Sequence, residues 1–286
     1  MLEPITAVPK LPRRPVDGHK GTFGRVLVVA GSRGMSGAAV LCGSAALKGG
    51  AGLVRVACPT EVQGVVAAGN PCYTTAGIPH HADGTYSETS IAAVTELAAA
   101  ADVVAVGPGL GNRPDVATLV RAVLGELGPK PAVVDADGLN ALSPMAEAVP
   151  GPAVFTPHPG EFARLTGKST AEVQANRIPL AVAFAARFRL VLLLKGPETI
   201  VTDGSRTYSN ATGNPGMATG GTGDVLTGAI AALLGQGLSP FDAAVLGAWV
   251  HGRSGDLAAA DLTQVCLTAA DVLAYLPRAF REVVEV

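Results

Sequence analysis

Three observations predict a doubly wound α/β fold, with a mainly parallel central sheet and helices on both faces. Short valine- and leucine-rich runs recur along the chain, helix-like segments separate them, and polar or glycine-rich loops follow the runs. Runs that are apolar at every position belong to strands buried on both faces of a sheet. The 286 residues are 48% apolar and 15% charged, enough to bury a sizeable core. No repeat or linker divides the chain. The expected organisation is an extended arm over residues 1–17, which holds four prolines, and a single domain over residues 18–286.

The expected strands are "RVLVVAG" (25–31), "LVRVAC" (53–58), "DVVAVG" (102–107), "AVVDA" (132–136), "AVFTP" (153–157) and "LVLLLKG" (190–196). Helices are expected at 36–48, 60–68, 89–101, 114–127 and 170–187, with Ser36, Thr60 and Ser169 or Thr170 as capping residues. "ETIVTDGSRTYSN" (198–210) departs from this alternation. Its Asp203-Gly204 pair between two β-rich runs predicts a hairpin at a sheet edge. From residue 219 onward the pattern is helical. Ligands of open α/β sheets collect at the carboxyl ends of the strands. Five unusual loops fall there: Gly31–Gly37, Gly107–Gly111, Asp135–Asn140, Thr156–Glu161 and Lys195–Thr199.

Charge and composition exclude several classes. A net charge of −2 offers no basic surface for nucleic acid. Mean hydropathy is high at +0.37, yet charges and glycines interrupt every long apolar run, so no membrane span is expected. The N-terminus "MLEPITAVPKLPRRP" lacks the apolar centre of a signal peptide. Cys42, Cys58, Cys72 and Cys266 show no metal-ligand spacing and read as buried free thiols, which suits a reducing cytoplasm. Two nucleotide motifs fail on inspection. "TGKS" (166–169) would need a glycine where Phe162 stands, which leaves Lys168 as a solvated lysine at a helix end. "VVAVGPGLGN" (103–112) resembles a dinucleotide fingerprint, but Asn112 occupies the third glycine position and Pro108 stiffens the turn.

The richest segment is "NPGMATGGTGDVLTGAIAALLGQG" (214–237), with seven glycines in 24 positions. Bare N–H groups at a helix start form an anion site, and glycines let the backbone approach a phosphate closely. Asp224 does not fit simple phosphate binding, because a carboxylate repels the anion. Either it takes the proton of a hydroxyl that attacks phosphorus, or it caps a helix that begins near Val225.

"GGTGD" followed by this apolar helix is similar to the anion-hole and base motif of the ribokinase-like superfamily. "GHKGTFGRVLVVAGS" (18–32), "GAA" (37–39), "VGPGLG" (106–111), "DADGLNAL" (135–142), "TPHPGEFARL" (156–165) and "KGPETIV" (195–201) occur in that order. Together they resemble the ADP/ATP-dependent NAD(P)H-hydrate dehydratase family over roughly residues 18 to 280.

The resemblance implies a ribokinase-like fold and repair of the hydrated cofactors NADHX and NADPHX. Phosphorylation of the ring hydroxyl by ADP or ATP with Mg2+, then loss of phosphate, would return NADH or NADPH. Asp224 would be the base, with the amides of Gly221, Thr222 and Gly223 around the phosphoryl group. Lys195, Gly196, Pro197, Glu198, Thr199 and Gly223 match the family's nucleotide contacts. Ala39, Gly109, His158 and Asp224 match its contacts with the hydrated cofactor. Glu161 is assigned either to a magnesium-bound water or to a carboxylate at a helix start. Asp137 and Asn140 line the pocket or serve a turn and cap. His251 is a core or interface histidine, and His19 and Lys20 belong to the pattern without a derivable role.

The resemblance also implies a homo-oligomer, with a tetramer among the options. Many relatives carry an extra epimerase domain, so a separate epimerase is the expected functional partner. The competing readings are a small-alcohol kinase of the same superfamily, which would stop at a phosphate ester, and a nucleotide-binding module without turnover.

Overall fold

The computed structural model describes residues 2–285. Its centre is β2 (Arg25–Val29) lying between β3 (Leu53–Pro59) and β5 (Val103–Val106), parallel to both. From β3 the sheet runs outward to β4 (Thr74–Ile78). From β5 it runs through β6 (Ala132–Val134), β7 (Ala153–Phe155) and β8 (Val191–Leu194). The strand order therefore reverses between β2 and β5, and a ligand crevice opens at such a point, beyond the strands' carboxyl ends. All these pairings are parallel; β9 (Thr199–Thr202) alone runs against its neighbours β8 and β10 (Arg206–Asn210).

Two apolar layers follow from the alternation of side chains along each strand. Val26, Val28, Val103 and Ala105 face one layer, and Leu27, Val29, Val104 and Val106 face the other. The first layer is covered by α1 (Ser36–Lys48), α2 (Thr60–Gly69), α9 (Thr222–Gly235), α10 (Pro240–Leu262) and α11 (Ala269–Phe280). The second is covered by α3 (Ser90–Ala100), α4 (Pro114–Glu126), α5 (Ala136–Ala141), α6 (Pro159–Thr166) and α8 (Arg177–Phe188). Burial on both faces is why the strand sequences show no polar alternation.

Several boundaries differ from the sequence expectation. Ser36 and Thr60 are first helical residues; the cap positions are Met35 and Pro59, and neither makes a side-chain cap bond. The helix expected over 170–187 breaks at Asn176 into α7 (Thr170–Ala175) and α8, because φ at Asn176 is −136°. Ser169 does cap α7, in a reciprocal box with Glu172. The 198–210 hairpin forms but is not the sheet's edge, since β1 (Glu3–Ile5) in the proline-rich segment pairs in parallel with β10. β4 escaped notice because it is half exposed and contains Gly77. Of the four free thiols, Cys42 and Cys58 are buried but Cys72 and Cys266 are exposed. No helix among the described residues is long and apolar enough to cross a membrane.

One close approach sets the position of α9. A β-carbon on Gly228 would lie 2.1 Å from the Cys42 carbonyl oxygen, so α1 and α9 meet backbone to backbone at that level. Gly228→Ala is expected to cost about 1–3 kcal/mol by overpacking a rigid contact. A urea unfolding curve displaced to lower midpoint, with unchanged slope, is the outcome that checks it.

Candidate functional site

The site assembles where β5, β6, β7 and β8 end and α9 begins. α9 starts at Thr222, three residues earlier than the sequence suggested, with Gly221 at the cap position in left-handed geometry at φ 92°. Only glycine takes this conformation without a steric penalty. A side chain at Gly221 would in any case strike Leu41 at 2.6 Å. Among the described residues, none of the N–H groups of Gly220, Gly221, Thr222 and Gly223 donates to a protein acceptor. This leaves an unpartnered row of donors at the positive end of a long helix.

Asp224 is the third residue of that helix, and it does not cap it: the cap position makes no side-chain bond. Its carboxyl is mostly buried. Burial, with the negative charge of Asp135, pushes its pKa from 3.8 up to about 7, while Lys195 works in the opposite direction. The capping alternative therefore fails, and a carboxyl poised near neutrality stands at the mouth of the anion hole.

Lys195 follows β8 and reaches back across the sheet edge. Its Nζ lies 2.9 Å from Asp135 Oδ1 and 3.7 Å from Glu161 Oε2. Burial works against the ammonium, but Asp135 and Glu161 outweigh it and raise its pKa, so the charge is retained. Asp135, almost wholly buried, also accepts from Thr227 Oγ1 of α9 at 2.8 Å. A β-carbon on Gly223 would be 3.3 Å from Lys195 Nζ. The free amides and the cation thus face the same small volume.

His158 and Glu161 hold each other at the start of α6. The His158 Nδ1 accepts from the N–H groups of Gly160 (3.0 Å) and Glu161 (3.3 Å), and Glu161 Oε2 accepts from the His158 N–H at 2.7 Å. Burial raises the Glu161 pKa, and burial followed by the nearby Lys195 lowers that of His158. The His158 side chain is half exposed, with its Nε2 3.5 Å from Glu161 Oε1. Glu161 is therefore a helix-start carboxylate in this geometry. Among the described residues, no group of three or more His, Cys, Asp or Glu side chains converges as a metal cage.

The remaining assigned residues fall into two places. Lys195 to Thr199 form a tight loop in which Gly196 and Glu198 have φ of 133° and 49°, and Thr199 Oγ1 donates to the Gly196 carbonyl at 2.9 Å. Gly109 lies in the loop after β5, where its carbonyl accepts from Ser32 Oγ at 2.9 Å. Ala39 is fully buried behind Gly31, so it shapes the wall of the crevice from within. Asp137 and Asn140 brace this wall: Asp137 accepts from the Gly111 N–H at 2.8 Å, and Arg164 donates to Asn140 at 2.9 Å. Lys168 is an exposed residue between α6 and α7, after the left-handed Gly167. His19 and Lys20 lie at the other end of the strands, where the Lys20 carbonyl packs on Gly52 before β3.

Sequence reasoning missed Arg177 and Thr227. Arg177 donates from Nη1 to the Pro197 carbonyl and from Nη2 to those of Leu194 (3.3 Å) and Lys195 (3.4 Å), clamping the loop that carries Lys195. Arg177 carries no sequence signal, because an arginine at a helix start is ordinary, whereas Thr227 is a lone hydroxyl in a stretch buried from Val225 to Leu234. Asp135 was visible as an acid at the end of an apolar strand, a placement that is costly without a partner.

A doubly wound sheet with an acid beside a helix-start anion hole, and no Walker loop, defines a ribokinase-like protein. A ribokinase-like superfamily protein from Enterococcus faecalis superposes with a TM-score of 0.86 at 25% identity, covering 100% of this chain and 97% of that one. The chain belongs to the NAD(P)H-hydrate dehydratase family, whose pattern it matches over residues 26–278. A bifunctional NAD(P)H-hydrate repair enzyme of Moorella thermoacetica is 47% identical over 281 residues, 96% of this chain but 53% of the relative. The chain thus spans about half the length of such relatives. An ADP-dependent (S)-NAD(P)H-hydrate dehydratase of Neisseria meningitidis is 42% identical over 85% of this chain and 80% of its own length. The ADP/ATP-dependent NAD(P)H-hydrate dehydratase of Bacillus subtilis, co-crystallised with ATP/Mg2+, superposes with a TM-score of 0.82 at 32% identity, covering 96% and 94% of the two chains.

The raised pKa of Asp224 has a consequence for stability. Between pH 3.8 and about 7 the folded protein holds a proton on Asp224 that the unfolded chain has lost. Its contribution to stability therefore falls as pH rises through that window and stays reduced above it. Asp224→Asn is expected to melt at higher temperature than the parent at pH 8, with the difference vanishing toward pH 4. Calorimetry across that range checks it.

Proposed function

We propose that this chain dehydrates the hydrated nicotinamide cofactors NADHX and NADPHX at the expense of ADP or ATP, returning NADH or NADPH with AMP or ADP and phosphate. Phosphoryl transfer to a hydroxyl rests on Asp224, an acid with a pKa near 7 beside four unpartnered N–H groups and a buried ammonium, and the family match over residues 26–278 supports the hydrated cofactor as its substrate. A site for binding phosphate alone gains nothing from that acid. A site that must accept a proton from an attacking hydroxyl requires it.

Asp224 takes the proton of the ring hydroxyl as its oxygen attacks phosphorus. The amides of Gly221, Thr222 and Gly223 and the Lys195 ammonium stabilise the charge on the transferred phosphoryl group. Hydroxide leaves carbon poorly and phosphate leaves well. The ring nitrogen's lone pair expels phosphate, the neighbouring ring carbon loses a proton, and the dihydropyridine is restored without a protein nucleophile. The loop from Lys195 to Thr199, clamped by Arg177, holds the nucleotide. The half-exposed His158 meets the hydrated cofactor, and the start of α1 at Ala39 and the loop of Gly109 receive it.

Magnesium would fit this donor set as an ion carried mainly by phosphate oxygens and water, since the described side chains form no cage and both Asp135 oxygens already accept, one from Lys195 and one from Thr227. Glu161 already serves the start of α6 through Oε2, and its other oxygen would accept from one of the ion's waters. When bound, the ion neutralises charge on the phosphates. The reading extends to a cytoplasmic location, to self-association as a homo-oligomer, and to a companion epimerase, in keeping with the bifunctional names of the relatives. Fractionation and light scattering test the first two.

Incubating hydrated NADH with the protein and either ADP or ATP should restore absorbance of the reduced cofactor. Phosphorylation of a small alcohol without such recovery would overturn the assignment. Asp224→Asn is expected to lower turnover by at least about a hundredfold while nucleotide affinity, read by calorimetric titration, stays within a few-fold. Lys195→Ala should instead weaken nucleotide binding by about tenfold or more, as expected for a lost charge-assisted contact.

A further inference from the structure

We propose that His251 is a positioning residue of the anion hole. By donating to the Thr222 carbonyl it orients and polarises the peptide unit whose other end is the Gly223 N–H.

The His251 Nε2 lies 2.8 Å from the Thr222 carbonyl oxygen. A carbonyl only accepts, so Nε2 carries the proton. The Thr222 C=O and the Gly223 N–H belong to one planar peptide, and whatever fixes the first fixes the second. In an α-helix starting at Thr222, that carbonyl already serves the N–H four residues on. The histidine therefore adds a second donor that the helix itself does not need. A donor on the carbonyl strengthens the N–H at the opposite end of the peptide, because hydrogen bonds in series polarise one another. That N–H has no protein partner among the described residues, and a β-carbon on the same residue would be 3.3 Å from Lys195 Nζ.

α10 fixes the approach to the anion hole. Gly252 and Gly255, beside His251, let the chain press on this helix, since β-carbons there would come within 2.3 Å of Thr212 Oγ1 and 2.2 Å of Met217 Sδ. The segment leading into the anion hole therefore lies directly on α10. Asp256 fastens it by accepting from the Gly213 N–H (2.9 Å) and from Asn214 Nδ2 (3.0 Å). Thr222 Oγ1 closes the loop by donating to the Met217 carbonyl at 3.1 Å. Burial also holds the imidazole neutral, with its pKa lowered to about 4, so it adds no positive charge to oppose Lys195.

The proposal rests on the reading that the start of α9 receives the phosphoryl group, and two measurements separate them. In the ligand-free full chain, the amide proton of Gly223 is followed by NMR in the parent, in His251→Leu, which removes the donor, and in His251→Gln, which keeps one at similar reach. The expected result is an upfield move of Gly223 in H251L and a near-parental position in H251Q. With hydrated NADH and ADP, kcat of H251L should fall about tenfold or more, consistent with a weakened oxyanion donor. KM for both substrates should stay within about threefold, and H251Q should recover most of the rate. If H251L does not fold, H251N, whose amide stops short of the carbonyl, replaces it. An unmoved Gly223 signal, a folded H251L with kcat within twofold of the parent, or an H251Q as impaired as H251L overturns the proposal. If the parent itself fails to turn over, the dehydratase reading falls and the Gly223 signal alone decides the His251 link.

Discussion

Everything at the carboxyl edge of the sheet depends on the Asp135 carboxylate. One oxygen meets the Lys195 ammonium and the other the Thr227 hydroxyl, which ties the ends of β6 and β8 to the body of α9. The pair is not an economical source of stability, since both charges surrender water to form it. Its effect is positional. A buried lysine with no counter-charge would neutralise or turn outward, and α9 would then present its free amides to solvent rather than to a cation. The same negative charge helps hold Asp224 protonated near neutrality. One carboxylate thus keeps Lys195 charged and keeps Asp224 ready to exchange a proton.

Around this tie the chain tolerates little freedom. Arg177 holds three carbonyls of the β8 loop, Asp137 and Asn140 hold the β5 loop against α6, and α10 supports the segment before α9. Each brace joins a loop or element of the site to a different element of the fold. A site that stabilises a transition state must be aligned before the substrate arrives, and bracing of this kind provides the alignment. The site extends from the point where the strand order reverses between β2 and β5, the place where ligands of open α/β sheets collect.

Much of this was legible in the residues. Continuous valine and leucine runs located most of the sheet because burial on both faces removes polar alternation. The Asp203-Gly204 turn placed the β9–β10 hairpin, and the glycine-rich run ending in Asp224 located the anion hole. Other features were not legible. β1 and β4 are short and partly exposed, so they lack a hydrophobic pattern. The break at Asn176 has no proline or glycine to mark it. Ser36 and Thr60 are good capping residues by type, yet the backbone enters each helix one residue earlier.

The sequence by itself determined the layers, the strand ends at which chemistry gathers, and the bare amides of Gly220 to Gly223, because these depend on local periodicity and on the absence of a side chain. Only the tertiary structure decided which groups share a charge environment. Asp224 is an ordinary acid in sequence. It becomes a proton acceptor poised near neutrality because burial and Asp135, 89 residues away in the chain, act on it together. His251 is likewise an ordinary helical residue until α10 lies beside the first turn of α9. Electrostatics and hydrogen bonding act through space at a few ångströms, and the sequence does not record those distances.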